Sequence, residues 1–205
     1  MKRSEYYEEL KELARNIRAE YKLTTPKVLL SDLRRIYKAY GIRVDLWPHK
    51  LKNLRGAYFG DDLGPTVMLA KRLPKEPRIF TMAHELKHHL VDRDKGYSYC
   101  DPSNQSEPIE IGAEVFAAEL IFPDSDFIEV MGETSVGLNE CKPETIVHLK
   151  HKTGTTMSYA GLVKKAEFLG YAVPGILQGI KYKKLEEELF GEPLYKKLAR
   201  YRRKF

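Results

Sequence analysis

Apolar positions along the chain follow two periods, and the switches between them mark out its elements. Leu10, Leu13, Ala14, Ile17 and Tyr21 recur at helical spacing and predict an amphipathic helix over residues 4–21, ended by Pro26. A second helix fits residues 29–40, with Ser31 or Asp32 as caps and Gly41 as its stop. Ile42, Val44 and Leu46 then alternate with polar residues. Residues 55–60 and 66–70 read as two further strands around a turn at 61–65, which makes a small antiparallel sheet. The helical period returns over residues 77–91, where Phe80, Ala83, Leu86 and Leu90 share a face. A loop rich in Asp, Pro, Ser and Gly follows over 92–108, and then a strongly apolar helix over 109–122, closed by Pro123. Beyond a less regular acidic segment, residues 143–152 and 158–169 form a helical hairpin broken at Gly154. Ser158 caps its second arm and Gly170 lies just past the end. Residues 173–205 read as one or two peripheral helices.

Composition narrows the class. A hydrophobic content of 42% suffices for a core, and the 31% charged residues are of mixed sign, which excludes a disordered chain. The start is charged and holds no apolar signal region, and no run approaches the ~18 apolar residues of a membrane span. A cytoplasmic protein without membrane contact is expected. Cys100 and Cys141 form neither a CxxC pair nor a disulfide framework. The net charge of +6 belongs to the end of the chain, where residues 196–205 hold six basic side chains and no acid, so that the body is neutral. Within the body, residues 101–144 carry eleven acidic side chains and one basic, an excess that requires counter-charge.

The chemistry concentrates in His84-Glu85-Leu86-Lys87-His88. On a helix, positions i and i+4 share a face about 6 Å apart, so both imidazoles can reach one metal ion at ~2.0 Å. Glu85, beside the first of them, can take a proton from a metal-activated water. The following helix carries Glu110 and Glu114, also at i and i+4, among apolar neighbours. Two half-buried like charges call for a cation or a donor. Glu110 as third ligand and Glu114 as acceptor for a ligand histidine's other N–H would supply both. Gly112, Ala113, Ala117 and Ala118 would let this helix approach the histidine helix closely. On this reading the acidic excess points first to a metal.

These segments resemble a known family. Phe80-Thr81-Met82-Ala83-His84-Glu85-Leu86-Lys87-His88 is similar to the (R/F)FTxAHELGH signature of the ImmA/IrrE metallopeptidases, and residues 110–123 are similar to their ExxANxFAAxLLMP signature. The resemblance implies an α+β fold: a zincin-like domain over residues 1–125, with a three-stranded antiparallel sheet packed on the HExxH helix. A helix-turn-helix-like C-terminal region with a basic tail would follow over 126–205. It also implies one zinc ion on His84, His88 and Glu110, with Glu85 as general base, and cytoplasmic cleavage of a helix-turn-helix repressor that controls mobile-element or stress-response genes. The same donors also suit Mn²⁺. Two positions depart from the signatures: Lys87 replaces a small residue and is expected to point to solvent, and Glu114 stands where Asn or Asp is usual.

Other features invite weaker readings. The strand at 66–70 would offer an edge for an extended substrate. His148, His151, Tyr97 and Tyr99 are candidates for stabilising the oxyanion. His89 reads as a surface residue or a neighbour of the ligands, His49 has no partner signal, and Cys100 reads as a surface or structural thiol. The hairpin's second arm offers mainly Lys164 and Lys165 and little to read base edges, so it reads as a packing or substrate-docking element; direct nucleic-acid binding is not expected, the basic tail being its one route and a solvated end the simpler reading of that tail. The competing function is a DNA- or protein-binding switch in which the metal is structural and peptidase activity is small.

Overall fold

The computed structural model describes residues 2–48, 55–93, 97–99, 107–193 and 196, with the backbone alone at 97–99. They fall into two compact units, one of Met1–Glu129 with Thr153–Ser158, the other of Val130–Lys152 with Tyr159–Phe205.

In the first unit, helices α1 (Arg3–Glu20) and α2 (Leu30–Ala39) precede strands β1 (Arg43–Trp47), β2 (Gly56–Asp61) and β3 (Gly64–Ala70). Helix α3 (Lys75–Val91), strand β4 (Tyr97–Tyr99) and helix α4 (Pro108–Ile121) follow. The α+β architecture agrees with expectation, and the sheet differs in two respects. It has four strands in the order β1-β3-β2-β4, the fourth supplied by the stretch read as loop, and β1 runs parallel to β3 while the other pairings are antiparallel. A three-residue strand carries too little alternation to be seen in sequence, and strand direction depends on tertiary pairing. β3 is therefore central, and the edges of the described sheet are β1 and β4. The substrate edge expected at residues 66–70 is paired on both sides.

The core forms where α3 and α4 pack on one another, on α1 and on the sheet. Leu33, Ile36, Ile79, Ala83, Leu86, Phe116 and Leu120 are fully buried. Tyr37 Oη donates to the Met82 carbonyl at 2.7 Å, which ties α2 to α3. Gly112 faces α1 rather than the histidine helix: a Cβ there would lie 2.8 Å from Leu10 Cδ1 and 3.0 Å from Tyr6 Oη. α1 also carries a basic row. Lys11 pairs with Asp124 at 2.9 Å, Arg15 with Glu119 at 2.9 Å, and Arg18 Nη1 donates to the Leu120 carbonyl at 2.8 Å. The row satisfies the C-terminal end of α4 and the acids that open α5 (Asp124–Glu133), a helix absent from the periodicity reading. Pro123, read as a terminator, is also the residue after which the next helix starts.

The second unit is built on α6 (Pro143–Thr153), α7 (Tyr159–Phe168) and α8 (Tyr182–Phe190). Ile146, Val147 and Leu149 of α6 and Leu162, Val163 and Ala166 of α7 are buried. The turn between the arms belongs to the first unit, where Thr156 Oγ1 donates to the Val28 carbonyl at 2.8 Å.

Candidate metal centre

α3 places His84 and His88 one turn apart and α4 brings Glu110 across to them. His84 Nε2 lies 3.1 Å from Glu110 Oε2, His88 Nε2 lies 3.2 Å from His84 Nε2, and His88 Nε2 lies 3.5 Å from Glu110 Oε1. Each residue offers one donor atom within 4.8 Å of the other two, and all three residues are buried, so the cluster could hold a metal ion. Glu85, the next residue on α3, is fully buried as well.

The hydrogen bonding sets the state of the donors. His88 Nδ1 lies 2.9 Å from Asp92 Oδ2. Burial disfavours the Asp92 carboxylate, but the bonds from His88 and Lys87 outweigh it and hold its pKa down at about 2. An ionised carboxylate only accepts, so His88 Nδ1 carries the hydrogen, and in the neutral ring the Nε2 lone pair faces His84 and Glu110. Burial likewise opposes a charged His88, yet hydrogen bonds to Asp92 and Glu110 and the nearby charge of Glu85 raise its pKa to about 8. Burial also opposes the Glu110 carboxylate, and the two histidines more than compensate, lowering its pKa. The pocket thus attracts positive charge at a point where two imidazole nitrogens and one carboxylate converge, a donor set suited to zinc.

Asp92 carries no motif signal in the sequence, although its position four residues after His88 places both on one helix face. Toward His88, Asp92 makes the kind of contact expected of Glu114; Glu114 lies one turn beyond Glu110 and is exposed. Lys87 does not point to solvent. Its side chain is fully buried and Nζ donates to Asp92 Oδ2 at 2.5 Å and to the Ile109 carbonyl at 3.1 Å. His89 is also buried, edge-on to Tyr40 and Tyr58, with Nδ1 3.1 Å from Tyr58 Oη, and burial lowers its pKa.

A further residue missed by motif reading is Gly56, at the start of β2. A Cβ there would meet Thr81 Cγ2 at 2.5 Å and Glu85 Oε1 at 3.0 Å, so the bare backbone leaves room for the Glu85 carboxylate. In the second unit, His148 packs edge-on to Phe190 at 5.2 Å and His151 stacks on the same ring at 3.9 Å. Both histidines are exposed and form an aromatic cluster with Phe190. His49, Cys100, the side chains of Tyr97 and Tyr99, and the tail beyond Lys196 lie outside the described residues.

No curated relative matches the chain. A solved structure of a Mycobacterium tuberculosis transcriptional regulator is similar in fold, with a TM-score of 0.53 at 15% identity, over 80% of this chain. The chain spans 60% of that regulator's length. Residues 37–156 match the peptidase M78 family model, described as the IrrE N-terminal-like domain. That match covers more than half of the chain and includes both histidines of α3 and Glu110 of α4, so the protein belongs to the peptidase M78 family.

Proposed function

We propose that the protein is a cytoplasmic zinc-dependent endopeptidase whose substrate is a helix-turn-helix transcriptional repressor. The observation that carries this reading is the convergence of His84 Nε2, His88 Nε2 and a Glu110 oxygen beside the buried Glu85. In it His84, His88 and Glu110 hold one zinc ion. The ion would supply Lewis acidity, polarising a peptide carbonyl and acidifying water.

The chain's own residues do the rest. Asp92 keeps the His88 hydrogen on Nδ1 and so leaves Nε2 free to ligate. Glu85 acts as general base toward the attacking water and then returns the proton to the leaving amine as the C–N bond breaks. Its burial keeps bulk water from competing for that proton, and Gly56 leaves its carboxylate unobstructed. The repressor as substrate follows from the family resemblance, and the structural neighbour named as a transcriptional regulator is in keeping with a regulatory setting.

The test combines metal analysis with cleavage. The purified protein should carry one zinc per chain and cleave its cognate helix-turn-helix repressor, to be sought first among the products of adjacent genes, and a chelator should stop the reaction. Glu85→Gln should keep zinc and fold while the cleavage rate falls by about 10²–10⁴-fold. Gene activation that survives intact in Glu85→Gln would instead favour the regulatory switch with structural metal.

A further inference from the structure

Lys87 sits between Leu86 and the ligand candidate His88, and its side chain is wholly buried, a rare state for lysine unless its charge is paired and its donors are used. Both conditions hold. Nζ donates to Asp92 Oδ2 at 2.5 Å and to the Ile109 carbonyl at 3.1 Å, and it lies 5.8 Å from the centre of the Tyr6 ring. The same Asp92 oxygen accepts from His88 Nδ1, and Ile109 immediately precedes Glu110 in the first turn of α4. One nitrogen is therefore bound both to the group that orients His88 and to the backbone beside Glu110. It joins the end of α3 to the start of α4, the two helices that must keep their separation for three donor atoms to converge.

We propose that Lys87 is a positioning residue of the metal centre. It pins Asp92 against His88 and the Glu110 turn against α3, and thereby sets the affinity and geometry with which the site takes a divalent cation. A solvated side chain at this position would do neither. The inference rests on the reading of His84, His88 and Glu110 as metal ligands.

The experiment uses the full chain as wild type, Lys87→Met, Asp92→Asn and the double variant. Zinc affinity is measured by competition with a chromophoric chelator, the visible bands of the cobalt(II)-loaded protein report ligand geometry, and the unfolding midpoint is taken without metal. Lys87→Met keeps the length and apolar stem and removes the donors. It should weaken zinc binding by about 10–100-fold and shift the cobalt bands. With Asp92→Asn the combined loss should be smaller than the product of the single losses, because the two residues act through one contact. Zinc affinity and cobalt bands within about twofold of wild type would overturn the proposal even if the metal-free midpoint fell, since a purely structural lysine does that much. Fully multiplicative losses would also overturn it. If Lys87→Met does not fold, Lys87→Gln, which retains N–H donors of shorter reach, supports the same comparison. A wild type that binds neither zinc nor cobalt defeats the metal reading itself, whereas a binding wild type with an unchanged variant defeats only the role of Lys87.

Discussion

Gly56 and Cys141 show how single positions are decided by what surrounds them. Thr81 Cγ2, 2.5 Å from a Cβ at position 56, is a short branched group on a buried helix and cannot swing away as a long side chain would. Gly56→Ala should therefore displace β2 or α3, destabilise the protein by about 1–3 kcal/mol in urea unfolding, and slow cleavage by moving Glu85 while zinc is retained. Cys141 is buried, and burial raises its pKa to about 11 from an ordinary 9.0. Only the thiolate alkylates, so its rate should rise about tenfold per pH unit up to about pH 11. Near pH 8 the shift alone makes it about 100-fold slower than an exposed thiol. Iodoacetamide labelling of a Cys100→Ser variant, followed by mass spectrometry, measures this, and rapid labelling at pH 8 would contradict it.

Among the elements, α4 is held from two sides, by α1 and by α3. Gly112 makes the crossing with α1, where Leu10 and Tyr6 already fill the space around it. Gly112→Val should overpack this crossing and destabilise by about 1–3 kcal/mol. Gly112→Ala should change stability far less, because the helix propensity gained, about 1 kcal/mol, offsets the push on two side-chain ends. Thermal unfolding of both variants tests the ordering, and equal losses would refute it. The end of α7 is legible in the local spacing alone. Gly170 takes a φ of +79°, and the Tyr171 N–H reaches back to the Ala166 carbonyl at 2.8 Å, the arrangement a glycine after the last apolar position announces. α5 is not legible in that way, because a proline that stops one helix and opens the next reads only as a stop.

At the scale of the molecule, the candidate metal centre belongs wholly to the first unit, and so should its energetics. Zinc at about a thousand times its dissociation constant should stabilise the folded chain by roughly 4 kcal/mol, reversed by chelation. Amide hydrogen exchange should slow on α3 and α4 and stay unchanged on α6 and α7. Equal protection of both units would show that metal binding orders more than the site. The charge distribution also belongs to this scale. Part of the acidic excess of residues 101–144 answers to α1: Glu119, Asp124 and Asp126 face Arg15, Lys11 and Arg18, while Glu110 faces the two histidines. Among the described residues, no helix is long and apolar enough to cross a membrane.

The helices of the first unit up to α4, three strands, the hairpin and the His84, Glu85, His88 string are legible along the chain, because each is written in local spacing that a helix or strand converts directly into a shared face. The spacing also places Glu110 and Glu114 on an apolar helix, where half-buried carboxylates call for a cation or a donor. Packing alone settles that β1 runs parallel to β3, that Asp92 accepts the His88 hydrogen bond, that Lys87 is buried, and that α1 pairs with Glu119, Asp124 and Asp126 of the acidic stretch. These are relations between segments distant in sequence, or choices of side-chain direction around a helix. Burial and pairing settle them only after the chain has packed.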